Sequence, residues 1–170
     1  ESCDLIIGET TCDGKKKAYE IFNDFKPTYV MEIPQMKGSC DRDLWKSEVL
    51  RLKATIEDKT GIKITSKALK EAIVKVNQKR RALQRLSKIR GASPTPISGL
   101  DALLVNQVSF YDDPDRFTQK VNELCDELED RVSKGIGVAE NGTPRILLSG
   151  SPMAIPNWKV PMVIEQSGAV

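Results

Sequence analysis

The chain has 170 residues, 39% hydrophobic and 29% charged, enough for one substantial core or two small ones. A net charge of +2 gives no argument for a nucleic-acid or membrane surface, and no run approaches the about 18 apolar residues of a membrane span. Histidine is absent, which excludes imidazole catalysis and ligation, and four cysteines without a close-spaced pair suit a reducing cytoplasm better than a disulfide scaffold.

Leu5 to Ile7 is an apolar run that ends at Gly8 and reads as a strand. A polar turn follows, carrying Cys12, and residues 15–25 place Ala18, Ile21, Phe22 and Phe25 at helical spacing. Pro27 closes that helix, and Tyr29 to Ile33 reads as a second strand. The unit is short enough for a right-handed parallel βαβ crossover, like the tail end of a Rossmann-like domain. In such a sheet the strand-to-helix turn lies at the carboxyl end of a strand, where ligands bind. Free N–H groups and the helix dipole there favour an anion or a thiolate, and Lys15, Lys16 and Lys17 add to the effect if they fold back. Cys12 is thus placed for chemistry rather than for packing.

Residues 34–38 form a loop, after which Ser39 or Asp41 caps a helix with Trp45, Val49, Leu52 and Ile56 on one face and Gly61 as its stop. Cys40, at this helix start, reads as an inert thiol. The next helix begins near Thr65 or Ser66, with Leu69, Ile73, Val76, Leu83 and Leu86 as its buried stripe. Its other face carries nine Lys or Arg against the single acid Glu71, and with few aromatic residues interleaved it reads as a solvated face or one turned to an acidic helix. Residues 91–98 are a reversal, and a short helix from Gly99 to about Phe110 carries Leu100, Leu103, Leu104 and Val108.

Asp112 or Asp113 with Pro114 opens a helix striped by Phe117, Val121, Leu124, Leu128 and Val132, with Cys125 as a buried small hydrophobe. Its acids Glu123, Asp126, Glu127, Glu129 and Asp130 make it the expected partner of the basic helix. Residues 135–142 are an exit loop. Arg145 to Ser149 is apolar enough to predict a strand buried on both faces, followed by a turn over 150–156 and a helix over 157–166 with Pro161 in its first turn. Residues 168–170 read as another strand beginning, so the chain is expected to be a piece of a longer polypeptide. The fold class is therefore α/β: strand-turn-helix pieces of two Rossmann-like domains (1–38 and 143–170) joined by a mainly helical segment (39–142).

Two motif readings fail on spacing. A P-loop needs four residues between its glycines and then Lys-Ser/Thr, whereas five separate Gly8 from Gly14, and Lys15 is followed by Lys16. A structural zinc site needs clustered ligands, and Cys3, Cys12, Cys40 and Cys125 form no C-x2-C pair.

The run Cys3-Asp-Leu-Ile-Ile-Gly-Glu-Thr-Thr-Cys-Asp-Gly-Lys-Lys-Lys-Ala-Tyr-Glu20 resembles a signature of the 2-hydroxyacyl-CoA dehydratase family, component D (2-hydroxyglutaryl-CoA dehydratase-like). That family also takes in benzoyl-CoA reductase subunits and double-cubane cluster proteins. Pro144-Arg-Ile-Leu-Leu-Ser-Gly-Ser-Pro-Met-Ala-Ile-Pro-Asn-Trp-Lys159 and Val163-Ile-Glu-Gln-Ser-Gly-Ala-Val170 match in the expected order.

The resemblance implies a 4Fe–4S cluster held between domains by three cysteines from separate turns. Cys12 matches the central metal ligand, Glu9, Thr10, Thr11, Gly14 and Lys15 lie around it, and Ser151 lies in a second turn of the same kind. The other two ligands are expected outside the chain, so that these 170 residues alone bind no cluster and are inactive. At Ser151 some relatives carry a cysteine, so its replacement favours a single cluster over the double-cubane type.

The implied activity is that of a cytoplasmic iron–sulfur lyase or reductase. An ATP-dependent iron–sulfur activator protein supplies one electron, and a CoA thioester loses its 2-hydroxyl group by way of a ketyl radical anion. Substrate and activator are the expected partners, in a hetero- or homodimer, with no nucleic acid and no membrane. The alternative is a non-redox phosphate-binding or helical interaction module, in which two glycine-bearing turns cradle an anion and Cys12 is incidental.

Overall fold

The computed structural model describes residues 3–170, which divide into two compact units, one ending at Ser66 and the other starting at Lys67. The first holds β1 (Ile6–Glu9), α1 (Asp13–Asn23), β2 (Thr28–Met31) and α2 (Ser39–Thr60). The second holds α3 (Ser66–Ile89), α4 (Gly99–Val108), α5 (Pro114–Ser133) and α6 (Lys159–Gln166). The architecture is mixed and rich in helix, with one small parallel sheet among the described residues.

In the first unit β1 and β2 pair in parallel, Ile6 opposite Thr28 and Glu9 opposite Met31, with α1 as the crossover. Gly8 is buried for a steric reason: the Tyr19 ring of α1 lies 2.4 Å from where a Cβ would sit. Helix and strand can approach this closely only at a residue without a side chain. The Tyr19 hydroxyl also accepts the Glu9 N–H at 3.3 Å.

The register sets which backbone groups of β2 face away from β1. Because the Ile6 N–H donates to Pro27 C=O, residues 27, 29 and 31 turn toward β1 and residues 28, 30 and 32 turn outward. Each outward residue has a side-chain partner. The Thr28 N–H donates to Asn23 Oδ1 (3.0 Å), Arg51 donates to Val30 C=O (3.2 Å), and the Glu32 N–H donates to Glu48 Oε2 (3.1 Å).

That edge changes the expected seat of α2. Glu48 is its buried residue, whereas Trp45 and Val49 of the expected stripe are nearly half exposed. The helix is attached through polar contacts to the strand edge: Arg51 donates to Glu48 at 2.7 Å and to the Tyr29 hydroxyl at 2.9 Å, and its guanidinium lies 5.3 Å from the Tyr29 ring centroid. Gly38 is the N-cap, its N–H donating to the Asp41 carboxylate at 2.9 Å, and Gly61 ends the helix in the left-handed region (φ 69°).

The second unit is built on one apolar cluster: Ala82 and Leu86 of α3, Ile97, Ala102 of α4, and Phe117, Val121, Cys125 and Leu128 of α5. The N-cap side chains of Ser98 and Asp113 accept backbone N–H groups of the first turns that follow them. The expected stripe of α3 is buried only toward its C-terminal half, and Leu69 and Ile73 lie half exposed.

The basic and acidic helices meet in part. Arg85 donates to Glu129 and Asp126, and Lys75 pairs with Asp115. Glu123, Glu127 and Asp130 instead pair along their own helix with Lys120, Arg131 and Lys134, where the i,i+3 and i,i+4 spacing already supplies a cation.

The expected strand over 145–149 is corrected. The run takes no sheet position, and Ile146, Leu147 and Leu148 are exposed, Leu147 by 89%. Burial on both faces needs neighbours, and among the described residues the backbone bonds of this run go to Val170, through Ile146 N–H to Val170 C=O and Val170 N–H to Pro144 C=O, each 2.8 Å. No helix among the described residues is long and apolar enough to cross a membrane.

Candidate functional site at the strand-to-helix turn

The turn between β1 and α1 is held by its own side chains. The Glu9 carboxylate reaches forward, one oxygen accepting the Thr11 N–H at 2.8 Å and the other pairing with the Lys15 ammonium. Lys15 also donates to Thr11 Oγ1 at 3.4 Å, and Thr10 Oγ1 accepts the Ile33 N–H at 2.9 Å, tying the turn to the segment beyond β2. Lys15 folds back to Glu9 and Lys16 back to Asp13, whereas Lys17 pairs forward with Glu20.

Cys12 is the N-cap of α1, in extended conformation (φ −136°, ψ 126°), and its side chain makes no capping hydrogen bond. Its carbonyl accepts the Lys16 N–H, as a cap should, while the thiol is exposed. The Sγ lies 3.8 Å from the Cβ position of Gly14, so it sits over the first turn of the helix. A soft nucleophilic atom thus stands beside N–H groups that lack intrahelical partners. Among the described residues no three Cys, Asp or Glu side chains converge to hold a metal ion.

A cavity of about 470 Å³ opens in this unit, lined by Thr10, Lys16, Ile33 and Pro34 beside Glu32, Asp41 and Arg51. A second, of about 420 Å³, lies within the other unit between the exposed 146–148 run and Ile97, Leu103, Met153 and Ile164, with Arg90 and Arg145 also lining it. Ser151 belongs to that second unit, exposed in the bend after Gly150. Cys40 is exposed and Cys125 buried, and burial pushes the Cys125 thiol pKa up. Trp158 Nε1 donates to Gln107 Oε1 at 2.9 Å, and Gln107 Nε2 donates to Met153 C=O at 2.8 Å, so Trp158 and Met153 are held within their own unit.

Sequence reasoning missed the residues that position this turn from outside it. Tyr19 props β1 through Gly8 and Glu9, and the Ile33 N–H donates to Thr10. An aromatic residue one helix after a buried strand glycine was the available signal.

A parallel strand-helix-strand unit with an exposed cysteine at its crossover defines a class of turn rather than an activity. A family model described as "2-hydroxyglutaryl-CoA dehydratase, D-component" matches residues 1–170, and the chain belongs to that family. It is also 37% identical over 167 residues to a curated Escherichia coli (strain K12) protein named "Putative dehydratase subunit YjiM", a match covering 97% of this chain. The chain spans 43% of the length of that relative.

Proposed function

We propose that the chain is part of a 2-hydroxyacyl-CoA dehydratase-like or benzoyl-CoA reductase-like subunit, with Cys12 as one thiolate ligand of a 4Fe–4S cluster in the full-length protein. The observation that carries the reading is Cys12 itself: a thiol at a helix start that is exposed and makes no capping bond, in a chain of this family. An exposed thiol at a helix N-terminus suits iron, but one thiolate is short of the ligand set that a cluster needs. The remaining ligands would come from residues outside these 170. A cluster held in part by Cys12 would supply low-potential one-electron chemistry toward a CoA thioester, with an ATP-dependent iron–sulfur activator as the electron source.

The chain's own residues hold and shape the turn: Glu9 and Lys15 fix Thr11, and Thr10 fixes the turn to Ile33. Residues 1–38 and 143–170 are proposed as parts of two Rossmann-like domains and 39–142 as the segment between them. The parallel pairing across α1 and the two backbone bonds to Val170 support this. The whole protein would act in the cytoplasm, as a hetero- or homodimer.

The anion-cradle alternative has less support. The carboxylate of Glu9 already takes the Lys15 ammonium and the Thr11 N–H, two of the groups an incoming phosphate would use.

The test is iron and acid-labile sulfide in the full-length protein purified without oxygen, wild type against Cys12→Ser. Iron in the wild type and its loss in the variant is expected. Iron-free wild-type protein overturns the reading.

A further inference from the structure

We infer that the run 145–149 is an interaction surface for an apolar strand laid parallel to it, and that its occupant is the segment following Val170 in the full-length protein. This rests on the reading of residues 143–170 as part of a Rossmann-like domain and adds to it the partner, its direction and its register.

The pairing is begun by Val170 itself. Its N–H donates to Pro144 C=O and its C=O accepts the Ile146 N–H, each at 2.8 Å. One residue bonded in this way to the two neighbours of another is the repeating unit of a parallel ladder, and it sets Val170 opposite Arg145. Helix α6 lies between the two segments, as the crossover of a parallel pair requires. Backbone groups alternate in direction along a strand, so residues 144, 146 and 148 turn toward Val170 and residues 145, 147 and 149 turn away. On the near side, Ile146 C=O and Leu148 N–H have no backbone partner among the described residues. They are the next acceptor and donor of the ladder, and the second residue after Val170 is the one placed to meet both.

The side chains define what kind of strand fits. Ile146, Leu147 and Leu148 are exposed, and together with Val170 they line the cavity of about 420 Å³ whose other walls include Ile97, Leu103, Met153 and Ile164. Side chains two apart on a strand share a face, so the second residue after Val170 points into the same cavity as Val170 and is apolar to match those walls. A run that is apolar at three successive positions needs cover on both faces, which suits an inner strand rather than an edge. The same polypeptide is favoured over a second copy because Val170 holds the register. Continuing from it needs no further loop closure, whereas a strand from another chain would first have to displace Val170 from Pro144 and Ile146. The chain covers 43% of its Escherichia coli relative, a length that leaves residues for such a segment.

The experiment is residue-resolved amide hydrogen exchange by NMR on the full-length protein at two concentrations, with the nuclear Overhauser contacts of the Leu148 N–H recorded. Leu148 is expected to exchange about a hundredfold or more slower than an unbonded amide, equally at both concentrations, and to contact the residues just after Val170. Protection that is lost on dilution gives the edge to a second chain and overturns the inference, as does a contact from Leu148 to any other segment. Protection at Leu147 with none at Leu148 means a strand paired on its other side only; the inference then falls and the domain reading stands. Fast exchange at both amides removes the inference and the domain reading together.

Discussion

Gly8 shows how one missing atom sets the geometry of the turn. A methyl group at this position would meet the Tyr19 ring at 2.4 Å, so the ring must swing aside, giving up its bond to the Glu9 N–H, or strand and helix must separate. Gly8→Ala is expected to destabilise the first unit by about 1–3 kcal/mol, as overpacking does, and to displace Glu9 from its place beside Thr11. Denaturant unfolding measures the first effect. The four cysteines give a second prediction at this scale. Cys3, Cys12 and Cys40 are exposed and Cys125 is buried with its pKa raised, so iodoacetamide should label three sites per native chain and the fourth only in denaturant. Labelling of Cys125 in the native chain would contradict the packing of α5.

At the level of elements, α3 and α5 are joined by an apolar seam and by Arg85. Leu128→Ala removes a fully buried side chain from the centre of that seam and is expected to cost about 2–5 kcal/mol, read from chemical denaturation. The Arg85 guanidinium, beside Glu129 and Asp126, holds the Glu129 carboxyl below its usual range, and Arg116 does the same for Asp112. Groups depressed in the folded state contribute stability above their unfolded pKa and lose it as the pH falls through the folded value. The melting temperature should therefore drop on acidification from about pH 5 toward pH 3, and Arg85→Gln should flatten that slope by removing the Glu129 share.

The limits of these helices were legible in the sequence at Asp113 with Pro114 and at Gly61, whereas the N-cap of α2 is Gly38 in place of the expected Ser39 or Asp41. The seat of α2 was not legible either. Apolar periodicity pointed to Trp45 and Val49, but the strand edge has outward N–H and C=O groups to satisfy, and Glu48 with Arg51 meets that need. Glu48→Ala is expected to speed hydrogen exchange at the Glu32 amide by about tenfold or more, since its acceptor is gone.

At the scale of the whole molecule, the sequence carried the family and the position of the cysteine turn, because both lie in contiguous motifs. It could not carry the exposure of residues 146–148. An apolar run records a preference for burial, whereas the burial itself depends on strands to either side, and here Val170 is the backbone partner. The two outer edges of the small sheet differ for a related reason. Asn23 and Arg51 each engage an outward backbone group of β2 and Glu48 takes the Glu32 N–H just beyond it, whereas on the far side of β1 the Tyr19 hydroxyl takes the Glu9 N–H. An edge whose hydrogen-bonding groups are taken by side chains gives an incoming strand little to bind. A strand added beside β2 would therefore have to displace three side chains before it could pair.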